Sequence, residues 1–320
     1  MMRHVAVCVV VCGSATSGAC AQAWFTGIGN MVGGGPGSSV FALSGDGTTA
    51  VGSGNAITYS EPARWTASQG LVGIGILGAS PFNSAYGTSQ NGSVVVGQSF
   101  GEAFRWTDSG GMMGLGFLPG KTNSWAWGVS HDGNTVVGYS GLSLGAGREA
   151  FRWTASTGMT GLGDLPGGEF GSAARAVSAD GLVVVGAGNS AAGKEATIWK
   201  NGSVIGLGDL PGGEYSSIAF ATNFDGSVVV GSANLSQDAF YWTESLGMVK
   251  LHDHLVSLGV TGLDGWTLTA ANGISDDGLT IAGMGINPLG QNEGWVAHIP
   301  APSSCVVLAI GGVIASRRRR

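Results

Sequence analysis

The chain has 320 residues, 60 of them glycine, with 11% charged residues and a formal net charge of −6. So much glycine without a Gly-X-Y period excludes a collagen-like fibre, and regular β-branched runs exclude a disordered chain. Without Arg3 and Arg317 to Arg320, nine basic residues remain against 20 acidic ones, a net charge of −11. Such a body excludes a nucleic-acid binder, whose affinity comes from Lys and Arg neutralising phosphates. An acidic polysaccharide would have to be met through local arginines or bridging cations.

In chain order, residues 1–23 read as a signal peptide. Arg3 and His4 give a positive start, VAVCVVVC (5–12) an apolar core, and Ala21-Gln22-Ala23 an A-x-A cleavage site. The run is too short for a membrane span. Lipidation at Cys20 is the alternative, disfavoured because Ser17 stands where a large aliphatic residue is wanted. Cys8, Cys12, Cys20 and Cys305 all lie in the end segments, so the body between them must hold together by packing and strand pairing rather than disulfides.

The body, residues 24–299, is one repeat told six times. A turn pair, Asp-Gly or Asn-Gly, begins at Asp46, Asn91, Asp132, Asp180, Asp225 and Asp277, in steps of 45, 41, 48, 45 and 52 residues. Each pair is followed by a β-branched run ending in glycine, as in SVVVG (93–97) and LVVVG (182–186). Length and β-branching make these buried strands. Next comes an acidic residue opening an aromatic strand: EPARWT (61–66), EAFRWT (102–107 and 149–154), EATIWK (195–200) and DAFYWT (238–243). The sixth copy, EGWVAH (293–298), has Trp295 moved to the Phe position. The column Trp65, Trp106, Trp153, Trp199 and Trp242 reads as core, because a buried aromatic supplies the largest apolar area.

A Leu-Gly strand closes each unit: LVGIGIL (71–77), MMGLGFL (112–118), MTGLGDLPGG (159–168), VIGLGDLPGG (204–213) and MVKLHDHL (248–255). There are five, one fewer than the turns. The missing copy is at the other end, where FTGIGNMVGG (25–34) matches MTGLGDLPGG. A unit split between the two ends is expected of a ring and not of a linear stack. The fold class expected is therefore all-β, a six-repeat β-propeller closed by pairing of the N- and C-terminal strands, with a β-solenoid as the rival.

The strand before each turn has a small face and a bulky one. Val40, Ala85, Ala126, Ala174, Ala219 and Ala271 share the small face with Ala42, Gly87, Gly128, Ala176, Ala221 and Gly273. Phe41, Tyr86, Trp127, Arg175, Phe220 and Asn272 occupy the other. Close approach of neighbouring units, near the hub, is the expected reason. The turn acids are expected to be structural, since Ca²⁺ needs six to eight oxygens and each turn brings one carboxylate.

SADGLVVVG, EAFRWT and GLGDLPGG together resemble the HAF repeats of exported bacterial proteins. The His-Ala-Phe triplet appears here as Glu-Ala-Phe at Glu102 and Glu149 and as Asp-Ala-Phe at Asp238. The resemblance covers 24–299 and implies an extracellular location and a repeat fold, with no catalytic residues. The tail resembles a PEP-CTERM sorting signal: Pro300-Ala301-Pro302, then CVVLAIGGVIA (305–315), then Arg317, Arg318, Arg319 and Arg320. Ala301 departs from the usual Glu. The resemblance implies an exosortase-type sorting enzyme as partner, transient membrane association through the tail, and a producer of exopolysaccharide. A plain C-terminal membrane tail is the alternative, though the apolar run is short for a span.

No catalytic set, metal site or cofactor is expected. His252-Asp253-His254 replaces Gly-Asp in the fifth Leu-Gly strand, which would put both imidazoles on one strand face, two Zn²⁺ ligands without an obvious third. Gly33-Gly34-Gly35 lacks the Lys and helix of a phosphate loop. The patch after each Leu-Gly strand varies and carries Phe82, Lys121, Trp125, Phe170, Tyr215 and Trp266. Loops on a rigid scaffold carry function, so the five aromatics are the candidate ligand-binding residues, stacking on sugar rings; the competing reading is that they fold back over the core. The expected function is an exported, non-enzymatic cell-surface or matrix protein associated with exopolysaccharide or with other proteins. The alternatives are a polysaccharide-active lyase or hydrolase and a scaffold without a ligand of its own.

Overall fold

The computed structural model describes residues 26–299 except 32, 79–81 and 143–145. The expected signal peptide with Ala21 and Ala23, and the tail with Pro300, Ala301, Pro302 and Arg317 to Arg320, lie outside the described residues.

Six antiparallel sheets follow one another along the chain. The first holds β1 (Ser38–Leu43), β2 (Thr49–Asn55), β3 (Ser60–Thr66) and β4 (Gly70–Gly73). The second holds β5 (Asn83–Thr88), β6 (Val94–Ser99), β7 (Glu102–Thr107) and β8 (Gly111–Gly114). The third holds β9 (Asn123–Val129), β10 (Val136–Gly141), β11 (Glu149–Thr154) and β12 (Gly158–Gly161). The fourth holds β13 (Ala173–Val177), β14 (Val183–Ser190), β15 (Gly193–Lys200) and β16 (Ser203–Gly206). The fifth holds β17 (Ile218–Thr222), β18 (Val228–Ala233), β19 (Asp238–Thr243) and β20 (Gly247–Lys250). After a short helix α1 (Leu251–Ser257), the sixth holds β21 (Thr267–Ile274), β22 (Thr280–Ile286) and β23 (Asn292–His298). The protein is a six-bladed β-propeller, with the first strand of each sheet innermost, running from the blade's rim connection to its Asp-Gly turn.

The small face of the inner strands is there because the blades crowd at the hub. A Cβ on Gly87 would sit 2.9 Å from Trp127 O, and one on Gly128 would sit 3.2 Å from Ala176 Cα. Ala85, Ala126, Ala174, Ala219 and Ala271 are fully buried and pack on the second strand of the preceding blade. A bulge in each inner strand skips the residue of the bulky column out of register: Phe41, Tyr86, Trp127, Arg175, Phe220 and Asn272. A bulge re-aims its side chain, here into the central channel. Among the described residues the hub packing is not repeated at the seam between blades six and one. Val40, in the place of those alanines, is 48% exposed.

The middle of each blade is the core. Phe104, Phe151 and Phe240 are fully buried. Trp295 faces Gly283 as Phe151 faces Gly138, so the shifted tryptophan of the last repeat does take the Phe register. The repeat acids are structural. The carboxylates of Glu61, Glu102 and Glu195 accept hydrogen bonds from the backbone N–H of Gly75, Gly116 and Gly208 at 2.9 Å. They fill the space a side chain would need at Gly73, Gly114 and Gly206. In blade five, Lys250 replaces that glycine, the acid shortens to Asp238, and the two form an ion pair at 2.6 Å.

The turn acids are consumed locally. Ser44 Oγ donates to Asp46 Oδ1 at 2.7 Å, and Asp46 also accepts from Thr48 N–H. The same arrangement recurs at Asp132, Asp180 and Asp277. Only the glycine of each pair is left-handed, for example Gly133 at φ +73°. These bonds hold the carboxyls of Asp46, Asp132, Asp225 and Asp277 below the ordinary range, led by the neighbouring serine hydroxyl.

The split repeat is visible in the connections between blades. Ser172 Oγ donates to Gly163 O while Asp164 Oδ2 accepts from Gly171 N–H. Ser217 and Gly208 repeat the first bond, and Asp209 and Ser216 the second. At the start of the body, Ser38 Oγ donates to Gly29 O and Asn30 Oδ1 accepts from Gly37 N–H. Ile28 and Met31 pack on Trp65 and Leu71 of blade one, as Leu162 packs on Trp199 of blade four. Residues 27–38 thus enter blade one as though from a preceding blade. Of the expected closing strand (25–34), Phe25 lies outside the described residues, and Thr26 and Gly27 belong to no strand.

Candidate functional site

At the end of the channel where the inner strands begin, blades three, four and five surround a cavity of about 330 Å³. Arg148, Glu169, Phe170, Arg175, Asn189 and Lys194 are among its lining residues. Arg148 stands just before β11, Arg175 at the bulge of β13, and Lys194 near the start of β15. Lys121 joins them from the loop before β9, its Nζ donating to Gly147 O at 2.8 Å. Four of the nine basic residues of the body therefore gather at one mouth of the channel. Among the described residues none of the four has a carboxylate within 4 Å.

An aromatic stack supports the cations. Trp125 lies parallel to Tyr139, ring centroids 5.1 Å apart, and Trp127 meets Tyr139 at 4.9 Å and 53°. The Arg148 guanidinium sits 4.9 Å over Tyr139, and that of Arg175 sits 3.8 Å over Trp127. Ring quadrupoles attract a cation and fix the plane of the guanidinium without using its N–H donors. Burial pushes the Arg175 and Lys194 pKa values down, and for Lys194 the charges of Arg175 and Arg148 push the same way. Burial pushes the Tyr139 phenol up, opposed by Arg148 and Arg175. The arrangement is a positive mouth with Arg175 half-buried, Arg148 and Lys194 exposed and Phe170 in its wall, able to hold a sugar face and an anionic group side by side.

Of the five predicted aromatics, Phe170 lines this cavity, and Trp125 stacks on Tyr139, the ring that Arg148 covers. The other three do neither. Tyr215 lies against Gly193 on the hairpin of blade four, its phenol raised by burial and by Glu195. Trp266 packs into the core of blade six with Leu268 and Trp295. Phe82 is exposed on the loop before β5. The cations were missed, although a signal was there. Arg175 is the one charge in the bulky channel column, and Arg148 and Lys194 occupy the same repeat position, immediately before Glu149 and Glu195.

The histidine expectation is corrected. His252 and His254 lie on α1, not on a strand, so a separation of two residues turns them to different sides. His254 stacks on Tyr241 at 4.5 Å, and His252 Nδ1 meets Asp253 at 3.1 Å. Lys250 ends the strand and Leu251 and Leu255 bury into blade six, which favours a helical turn over alternation. Among the described residues no group of three or more His, Cys, Asp or Glu could hold a metal ion.

No protein-family model matches the chain, and no curated protein matches it. Solved structures resemble it in fold. A prolyl endopeptidase aligns over 83% of this chain and 43% of its own, with 12% identity and a TM-score of 0.51. A putative TolB from Agrobacterium tumefaciens aligns over 81% of this chain and 89% of its own, with 15% identity and a TM-score of 0.48. TolB from Acinetobacter baumannii aligns over 62% of this chain, with 15% identity and a TM-score of 0.41, and the chain spans 49% of its length. At such identities the likeness concerns the propeller fold alone.

Proposed function

We propose that this is an exported, non-catalytic surface or matrix propeller that binds polysaccharide at the basic, aromatic mouth of its channel. The observation that carries the reading is the Trp125–Tyr139–Trp127 stack, capped by Arg148 and Arg175 beside an open cavity. Aromatic faces and guanidinium forks are what a sugar ring and its substituents bind to. Many acids at repeated positions are taken up by the fold: Glu61, Glu102 and Glu195 hold backbone N–H groups, and Asp46 and Asp132 hold serine hydroxyls. The cavity lining itself carries one acid, Glu169, where a glycosidase works with a facing pair. Export is supported by the signal-like start, and retention at the surface by the sorting-like tail, for which an exosortase-type enzyme is the proposed partner.

The test is co-sedimentation of the purified full-length chain with the exopolysaccharide of a producing culture, with new reducing or unsaturated ends measured in the same tubes. Binding without new ends is expected. New ends that grow with time and protein would replace this reading by a polysaccharide-active enzyme.

A further inference from the structure

We propose that the mouth is selective for acidic sugars, taking a carboxylate or sulfate against Arg148, Arg175 and Lys194 and a ring face against Trp125. This rests on the polysaccharide reading above and adds the class of ligand. The argument is one of unmet bonding. Elsewhere in the body four of the five basic side chains bond to the fold, Arg64 to Gln69, Arg105 to Gly133 O, Arg152 to Thr135, and Lys250 to Asp238, and the fifth, Lys200, stands alone and exposed on a hairpin. At the mouth, Arg148 and Arg175 touch the rings of Tyr139 and Trp127, and among the described residues their N–H groups and the Lys194 ammonium make no hydrogen bond or ion pair.

Gathering like charges at one mouth opposes folding, because each disfavours the next and Arg175 is partly removed from water. A fold keeps such a site when something outside it supplies the opposite charge, a common trade of stability for function. The rest of the body is acidic and repels polyanions, so this mouth is the place where one can be held. Glu169, exposed on the rim, gives the cavity one acidic wall and leaves the cations unneutralised. Arginine in this geometry prefers planar, two-pronged acceptors, which uronate carboxylates and sulfate esters both offer.

The experiment is calorimetry of the full-length chain with polygalacturonate, dextran sulfate and neutral dextran, and with galacturonate and inorganic sulfate as small probes. Tryptophan emission reports the mouth, with Trp125→Phe assigning the signal. Acidic polymers are expected to bind, and neutral dextran at least about ten-fold more weakly. Arg175→Gln and Lys194→Met should each weaken binding about ten-fold, while Lys200→Gln, the same charge change on an exposed hairpin, should not. Arg148→Gln replaces Arg175→Gln if the latter does not fold. Polygalacturonate alone names a carboxylate and dextran sulfate alone a sulfate ester, and either supports the proposal. Equal binding of neutral dextran, or equal loss in Lys200→Gln, overturns the acidic selectivity and leaves the polysaccharide reading standing. Small anions bound at the mouth without any polymer keep the anion site and remove the polysaccharide reading. No binding by any probe overturns both.

Discussion

The two ends of the channel are built from the same repeat and behave oppositely. At the turn end, the loops are tied to one another. Asp46 N–H donates to Gln90 O, Gln90 N–H to His131 O, and His131 N–H to Ala179 O, each between adjacent blades. Phe224 N–H donates to Asp276 O between blades five and six. His131 reaches across the channel to Asp276 at 3.4 Å and meets Phe224 edge-on at 6.0 Å. A cavity of about 560 Å³ lies there too, but the facing His131 and Asp276 are partnered with each other. The strand-start end has the reverse character: exposed donors, like charges together, rings left partly open. One end joins the blades and leaves one buried acceptor among the described residues there, Gln90 Oε1, without a partner; the other gathers unpaired cations, which is what an anionic ligand can use.

Substitutions should separate these roles. The largest effect is expected at Trp127, whose loss to Ala removes the ring under Arg175 and a neighbour of Tyr139. Stability should fall by about 2–3 kcal/mol, less than for a fully buried Trp, and ligand binding should fall with it. Denaturant titration with calorimetry would show both, and an unchanged affinity would detach the ring from the site. Next is Ser130→Ala at the turn end. It deletes the hydroxyl that donates to Asp132 and accepts from Thr135 N–H. A loss of about 1–2 kcal/mol, with binding unchanged, is expected from chemical denaturation. Asp276→Asn should cost under about 1 kcal/mol, and less at high salt, because the pair is half-exposed.

The smallest effect has the opposite sign. Arg148→Gln should raise Tm by about 1–2 °C at low salt, since it relieves Lys194 and Arg175. A lower Tm would mean that stacking on Tyr139 outweighs the repulsion. The pH dependence follows the same division. Lys194 has a folded pKa below its ordinary 10.5, so its charged form costs stability. Stability contributed there rises with pH through that lowered pKa, and anion binding declines over the same alkaline window. The turn acids run the other way. With folded pKa values below 3.8, Asp132 and Asp225 contribute stability that is complete above that value and is lost as pH falls through the folded pKa. Acid and alkaline titrations of stability, compared between Lys194→Met and Ser130→Ala, would separate the two ends.

Much of the architecture was legible because it repeats. The period, the small inner face, the register of Trp295 and the structural use of the acids each recur at one place per unit, so six copies state each rule. Blade five shows the physical content of such a rule, with Lys250 and Asp238 changing together. The site was half legible. Trp125 and Phe170 were visible as exceptions to the pattern, while Tyr215 and Trp266, equally exceptional in sequence, are held against a hairpin and a core. The helical turn at His252 and His254 was misread, because alternation was extended past Lys250 into a segment whose leucines are buried by blade six.

The expected division of the last unit's strands between the chain ends is not seen among the described residues, where the sixth sheet has three strands, while six antiparallel blades in a ring were readable from the sequence alone. Local chemistry suffices for that: turn residues, β-branched runs and side-chain alternation act over a few positions. The grouping of the cations at the candidate site came only with the folded ring. Arg175 and Lys194 come from two strands of blade four and Arg148 from the residue before β11 of blade three, 46 positions apart at the extremes. What joins them is the rotation from one blade to the next, which sets separate positions of the repeat side by side at one mouth of the channel.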